Sequence, residues 1–185
     1  MNKKRCSWCE KDDLYRKYHD EEWGKPVYGD AAIFEFLVLE SFQAGLSWYT
    51  ILKKRENFRT AFDDFNYHKI AEYKDEKVEL LMQDAGIVRN RLKVLATVSN
   101  AQRFLEVQAE FGTFSKYIWT FVDGKPIVNN PQTLKDVPAT SEISDQLAKD
   151  LKKRGFKFLG STVMYAHMQA TGMVDDHVED CHCRT

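Results

Sequence analysis

Residues 30–44 read DAAIFEFLVLESFQA, and Ile33, Phe34, Phe36, Leu37, Val38 and Leu39 make that stretch apolar on nearly every side. A helix that is apolar all round has no face to give to water, so it belongs at the centre of a fold. It is shorter than the roughly 20 apolar residues that a membrane span requires. Asp30 is placed to cap its start, and Gly45 follows Ala44 as a stop. Other elements must wrap around this one.

The wrapping elements are legible as further helices. A second is expected to start near Ser47 and run through Trp48, Ile51, Leu52 and Phe58. Residues 75–85 carry Val78, Leu81, Met82 and Ala85 at i, i+3, i+4 and i+7, with Gly86 as the expected C-cap. The next helix is expected to open around Val88, to carry Val94, Val98, Ala101 and Leu105 on one stripe, and to end by Gly112. Residues 123–140 hold three of the four prolines and read as a long surface loop. Helix resumes with Ile143, Leu147 and Leu151 until Gly155, and a last helix is expected over 162–171 before Gly172. Residues 1–29 read instead as an irregular, aromatic-rich arm. The expectation is an all-α fold, one compact domain over 1–185, with no repeat or linker.

Net charge is −1, from 27 basic and 28 acidic side chains, which is not the footprint of a protein that coats DNA nonspecifically. Nucleic-acid binding, if present, has to come from local charge and backbone donors. No stretch is apolar enough to span a membrane, and MNKKRCSWCEKDD has no apolar segment behind its basic residues. A cytoplasmic protein that needs no membrane is expected.

Three constellations could carry chemistry. The four cysteines crowd the two ends, as Cys6 and Cys9, then Cys181 and Cys183. With His19, His177 and His182 they offer seven ligands to a tetrahedral zinc, and His177 and Cys181 lie one turn apart. The alternative is a set of reduced, unligated thiols. H-x-E occurs at 19–21 and 177–179, but no P-C-x-x-C follows either, so a deaminase-type catalytic zinc is not expected.

The second constellation is QDAGIVRNR at 83–91, a corner between two helices. Gly86 is expected to turn with a positive φ, and the following helix start presents unpaired N–H groups suited to phosphate. Arg89, Arg91, Lys93 and Arg103 add four positive charges; an ordinary corner with a solvated basic face is the alternative. KKRGFKFLG at 152–160, with Lys152, Lys153, Arg154 and Lys157 around Gly155, is a second possible backbone clamp.

The third is Glu40, an acid in the most apolar helix, with Trp48 beyond a glycine turn and Trp8, Tyr15, Tyr18 and Trp23 in the arm. A buried charge is costly unless paired or functional. Aromatic faces beside one hydrogen-bonding acid suit a flat, partly charged nucleobase. Otherwise Glu40 bridges to the arm and the aromatics are core.

Seven strings, RCSW, YHDEEWG, LESFQAGLSW, LKKRENFR, QDAGIVRNR, KKRGFKFLGST and MVDDHVEDC, run in order over 6–181. Together they resemble the bacterial 3-methyladenine DNA glycosylase I family, a branch of the helix–hairpin–helix glycosylases. The resemblance implies a monofunctional hydrolase that flips 3-methyladenine out of double-stranded DNA and releases the free base, leaving an abasic site without strand cleavage. It implies a structural zinc on Cys6, His19, His177 and Cys181, stapling 6–19 to 177–181, with His182 and Cys183 as rival ligands. Glu40 and Tyr18 would act on the flipped base, with Trp48 stacking and Trp8, Tyr15 and Trp23 shaping the pocket. Gly45 and Leu46 match the wedge that fills the duplex, since inserted apolar side chains hold base steps open. A hairpin over about 75–105, with Gly86, Val88, Arg89 and Arg91, would hold DNA, assisted by Lys153 and Gly155. The chain is expected to act as a monomer. The rival reading is a noncatalytic zinc-containing DNA-binding module, which has no use for an acid amid aromatics.

Overall fold

The computed structural model describes residues 4–43 and 45–184. Among them, α1 (Asp13–Glu21), α2 (Asp30–Gln43), α3 (Trp48–Ala61), α4 (Tyr67–Ala71), α5 (Asp75–Gln83), α6 (Arg91–Phe111), α7 (Phe114–Trp119), α8 (Glu142–Lys153) and α9 (Ser161–Ala170) form the fold. Two short strands, β1 (Ile127–Val128) and β2 (Val174–Asp175), pair in parallel. Ala44, the expected last residue of the central helix, and both ends of the 1–185 span lie outside the described residues.

α2 is the axis. From Ile33 to Phe42 every residue but Glu35 is buried, and α3, α6, α7 and α9 pack around it. Phe34 meets Phe104 edge-on at 5.1 Å between ring centres, and Phe42 meets Phe58 at 5.0 Å. Truncating one such ring to alanine typically removes about 3–5 kcal/mol. Glu35, the one half-exposed residue in that stretch, pairs with Arg55 and Arg59 of α3. Side-chain caps set the helix starts: Ser47 accepts from the Thr50 N–H, Asn90 from Lys93 and Thr113 from Lys116.

Four expectations need correction. The arm is not wholly irregular, because residues 13–21 form α1, started by Asp12 accepting the Tyr15 N–H at 2.9 Å. The loop over 123–140 is not all loop: β1 within it pairs with β2, so the fold is helical with one two-stranded patch. The helix after the corner begins at Arg91 rather than near Val88, since the Asn90 side chain caps it. Gly86 is not among the residues with positive φ. Its site needs glycine for space, because a Cβ would meet the Asp84 carboxylate at 2.9 Å and the Asn57 Cβ at 3.1 Å.

One local feature was not foreseen. Asp63, Asp64 and Phe65 all have φ between +52° and +54°, a left-handed turn of non-glycine residues. Such a conformation costs roughly 1–2 kcal/mol per residue. Burial of Phe65 and the bonds of Asp63 to the Tyr73 hydroxyl and Lys77 hold it.

Gly172, the stop after α9, fastens the arm. Its φ is +66°, and a Cβ there would stand 2.2 Å from the Lys25 carbonyl carbon. Val27 N–H bonds the Thr171 carbonyl beside it at 2.9 Å. Gly172→Ala is therefore expected to lower stability by more than about 2 kcal/mol, read by urea unfolding. A loss within about 0.5 kcal/mol would show that the arm is not seated there.

Candidate active site

The arm, α1, α2 and α3 bring Trp8, Tyr15, Tyr18, Trp23, Glu40 and Trp48 around one cleft of about 270 Å³. Tyr15 and Tyr18 are three residues apart and share a face of α1. Asp12 both caps α1 and accepts the Tyr49 hydroxyl, docking α1 on α3. Arg55 of α3 bonds Glu22 at 2.6 Å and Glu35 at 2.5 Å, joining the end of α1 to α2. Trp8 packs edge-on to Tyr15 at 4.8 Å and to Trp23 at 5.1 Å, and Tyr18 lies 5.4 Å from Trp48. These rings form the walls of the cleft.

Glu40 is 3% exposed, and no described residue forms an ion pair or side-chain hydrogen bond with it. Burial alone pushes its pKa up to about 8, so the carboxyl is neutral at pH 7. Burial, with Glu40 as a further cause, also holds the Tyr18 hydroxyl well above the usual phenol range. The Trp48 indole N–H is buried without a partner among the described residues. A neutral acid and an unpaired donor in a ring-lined cleft are poised for a flat polar ligand.

Gly45, with φ +81°, turns the chain out of α2 so that Leu46 emerges 41% exposed. Both line a second cavity of about 220 Å³ that shares Glu40, Gln43 and Ala166 with the first. An apolar side chain thus stands at the mouth of the cleft. Five lining residues were not anticipated: Gln43, Leu134, Val137, Ala166 and Gln169. Gln43 follows Glu40 by three residues and could have been found by periodicity; Leu134 and Val137 come from the proline-rich loop, which carries no such signal.

Beyond the Trp8 and Trp23 wall the chain ends meet. One ligand atom each from His19, His177, Cys181 and Cys183 lies within 4.8 Å of the others. His19 Nδ1 faces the Asp20 carboxylate at 2.8 Å and His177 Nδ1 faces Asp175 at 2.6 Å. Each Nε2 is thereby turned inward: that of His19 lies 3.4 Å from the Cys181 sulfur, and that of His177 is buried with no partner among the described residues. Cys6 is outside this group of four, although its thiol reaches the Cys181 sulfur. Cys9 is turned away and bonds the Cys6 carbonyl at 3.1 Å. His182 groups with Asp20 and Cys183 nearer the surface.

The basic corner at 83–91 is less basic than its sequence. Arg91 pairs with Glu79 of α5 at 2.5 Å, Arg103 pairs with Glu106, and Lys93 is buried on the Phe42 carbonyl at 3.1 Å. Arg89 stays exposed without an ion pair among the described residues, while Val88 is partly buried against the core. The corner between α8 and α9 keeps more charge. Among the described residues Lys152, Lys153 and Lys157 are exposed there and make no ion pair, Gly155 turns at φ +91°, and Arg154 is committed to Asp150 and Glu110.

A family profile described as methyladenine glycosylase matches residues 8–185. The chain is 48% identical over 179 residues to the DNA-3-methyladenine glycosylase 1 of Escherichia coli (strain K12), across 97% of this chain and 96% of that one. It is similar to a crystal structure of 3-methyladenine DNA glycosylase I, with TM-score 0.96 and 46% identity over 98% of this chain and all of the other. A variant 3-methyladenine DNA glycosylase I solved in complex with 3-methyladenine gives TM-score 0.95 and 40% identity, covering 98% of this chain and 97% of that one.

The buried acid makes stability depend on pH. Below the ordinary glutamate pKa, near 4.5, Glu40 is protonated in the folded and unfolded states alike. As pH rises toward 8 the unfolded chain loses this proton and the folded one keeps it, so stability falls across that window and then levels. Glu40→Gln removes the titration. The variant is expected to unfold at a higher temperature than the parent at pH 8, by a few kcal/mol in stability, with the gain fading toward pH 5. A gain that does not vary with pH would mean that Glu40 is not desolvated.

Proposed function

The chain belongs to the methyladenine glycosylase family, and from that premise we propose that it excises 3-methyladenine from alkylated double-stranded DNA by hydrolysis. The observation that carries this reading is Glu40: a buried, uncompensated carboxyl on the floor of an aromatic cleft of nucleobase scale. A noncatalytic DNA-binding module would have no use for it. Extruding the nucleotide costs a few kcal/mol, least where methylation has already weakened the pair. Leu46 fills the vacated step, and Tyr18, Trp48 and the arm rings take the base between their faces.

Methylation at the ring nitrogen makes the base a cation in the nucleotide, so its glycosidic bond is already weak. The positive charge of the base favours loss of the Glu40 proton to solvent, and the resulting carboxylate pairs with the cation in low dielectric. Normal adenine brings no charge and leaves Glu40 neutral, which supplies discrimination. The bond between the base nitrogen and the sugar carbon breaks, with its electron pair going to the base. A water oxygen then bonds the sugar carbon and gives its proton to solvent. Neutral 3-methyladenine and an abasic site are the products, with no strand cleavage. Phosphates are held by the corner at 83–91, through Gly86, Val88, Arg89 and Arg91, and by Lys153 and Gly155 in a helix–hairpin–helix arrangement. The free lysines around Gly155 make that second corner the stronger electrostatic contact. The protein works as a monomer in the cytoplasm.

Because Glu40 must ionise to meet the cation, release of base from methylated DNA at subsaturating protein should strengthen with pH up to about 8, by at most tenfold per unit. Above that it should level, and Glu40→Gln should show no such slope. Base release is read in single-turnover reactions. No release by the parent protein would refute the glycosylase reading, and the same slope in the variant would remove Glu40 from it.

A structural zinc belongs to the same reading, held by Cys6, His19, His177 and Cys181. Its support is the donor chemistry: two imidazoles oriented by carboxylates on Nδ1, an orphaned buried Nε2 on His177, and buried thiols beside them. Bound there, the metal would stabilise thiolate and tie the two ends of the chain. Cys183 is the rival fourth ligand by proximity. Metal analysis is expected to find one zinc in the parent protein and in Cys183→Ala, and none in Cys6→Ala or His177→Ala. The opposite pattern for the two cysteines would exchange the fourth ligand, and full zinc in all three variants would refute the site.

A further inference from the structure

Gln43 and Gln169 are polar residues of the cleft that the foregoing chemistry does not use, and Gln169 is the one whose amide is held by a buried carboxylate. It lies on α9 three residues after Ala166, and both line the cavity with Glu40 and Trp48. Its amide is not free to turn. Nε2 donates to the Asp176 Oδ2 at 2.7 Å, and Asp176 is 1% exposed. The same carboxylate takes the Tyr165 hydroxyl on Oδ2 at 2.8 Å and the Asn129 amide on Oδ1 at 2.7 Å. A carboxylate only accepts, and here three donors, two from α9 and one just past β1, converge on it. Turning the Gln169 amide over would set its carbonyl against the Asp176 oxygens. The NH₂ is therefore held toward Asp176, and Oε1, which no described side chain ties, remains on the other arm of the same planar amide.

We propose that Gln169 reads the 6-position of the extruded purine as a fixed hydrogen-bond acceptor, with Asp176 as the positioning residue that keeps it one. An adenine-type base presents an amine there and can donate to Oε1. A guanine- or hypoxanthine-type base presents a carbonyl, which sets acceptor against acceptor and leaves both unpaired. Toward a neutral free base Glu40 does not make this distinction by itself, because a protonated carboxyl offers a donor and an acceptor together. A site built to bond a substrate N–H rejects the analogue lacking it far better than an apolar pocket rejects a change of shape. The inference rests on the glycosylase reading of this cleft and adds the basis for adenine over other N3-methylated purines.

The test is titration calorimetry of free 3-methyladenine and free 3-methylhypoxanthine into the parent protein, Gln169→Met and Asp176→Asn. The parent is expected to prefer 3-methyladenine. Gln169→Met keeps the length of the side chain at a half-exposed position and should weaken 3-methyladenine about 3- to 10-fold, the worth of one neutral hydrogen bond. It should leave 3-methylhypoxanthine unchanged or tighter, so the preference narrows. Asp176→Asn frees the amide to turn over, and its preference should narrow or reverse although nothing lining the cleft has been replaced. Loss of order alone would weaken both bases in parallel. An equal effect on both bases in Gln169→Met, or none, overturns the proposal even if Asp176→Asn does not fold. A parent protein that binds neither base overturns the glycosylase reading itself, whereas parent binding with an unchanged preference overturns only the role of Gln169.

Discussion

The Glu40 carboxyl sits on a helix with almost no wet face, and no described side chain compensates it. Burying an acid in this way works against folding, and the chain bears the cost at its most central element. The surroundings show how. α2 is clamped by α3, α6, α7 and α9, and its other acid in the buried stretch, Glu35, is fully employed by Arg55 and Arg59. One acid is neutralised by ion pairs, the other is left open to the cleft. That contrast within five residues of one helix is the observation on which the proposed role of Glu40 rests.

Much of the helical frame was legible because the signals were local. α2 declared itself by apolar residues on every side, α5 by a clean period, and α6, α8 and α9 by glycines just past their ends. α1 was not read because its nine residues, DLYRKYHDE, mix aromatic and charged groups without an apolar stripe long enough to count; only Asp12 ahead of it signalled a start. Gly86 was misjudged because glycine has two uses, and the space taken by Asn57 and Asp84 is invisible until the fold brings α3 beside the corner. The four-charge patch was overstated for a similar reason, since Glu79 reaches Arg91 from another helix.

The cleft divides in the same way. Trp8, Tyr15, Tyr18, Trp23, Glu40 and Trp48 lie in strings dense enough to resemble a known family, and they do share one cavity. Their roles toward a base are the proposal; their convergence is geometry. Leu134 and Val137 come from a loop that folding carries across to the arm, and Gln169 from the last helix. No spacing rule links these to Glu40, which is about 90 residues or more away in the chain. Long-range placement, not chemistry, is what sequence reading lacked.

The cleft and the chain ends are coupled through one short segment. Asp175 orients His177 toward the cysteines, and Asp176, the next residue, orients Gln169 toward the cleft. Trp23 packs edge-on to His177 at 4.7 Å and Trp8 lies 5.3 Å from His19, so two rings of the cleft wall rest on the two imidazoles. Gly24 is held tightly against His177: a Cβ there would stand 2.6 Å from that ring. Any cation seated among His19, His177 and the thiols would therefore fix the ring planes that line the cleft, without touching what binds in it. Losing it would loosen the Trp8 and Trp23 wall first, while Glu40, Tyr18 and Trp48, held by α1, α2 and α3, would keep their places. The zinc proposed for that position would accordingly serve the architecture of the pocket and not its chemistry.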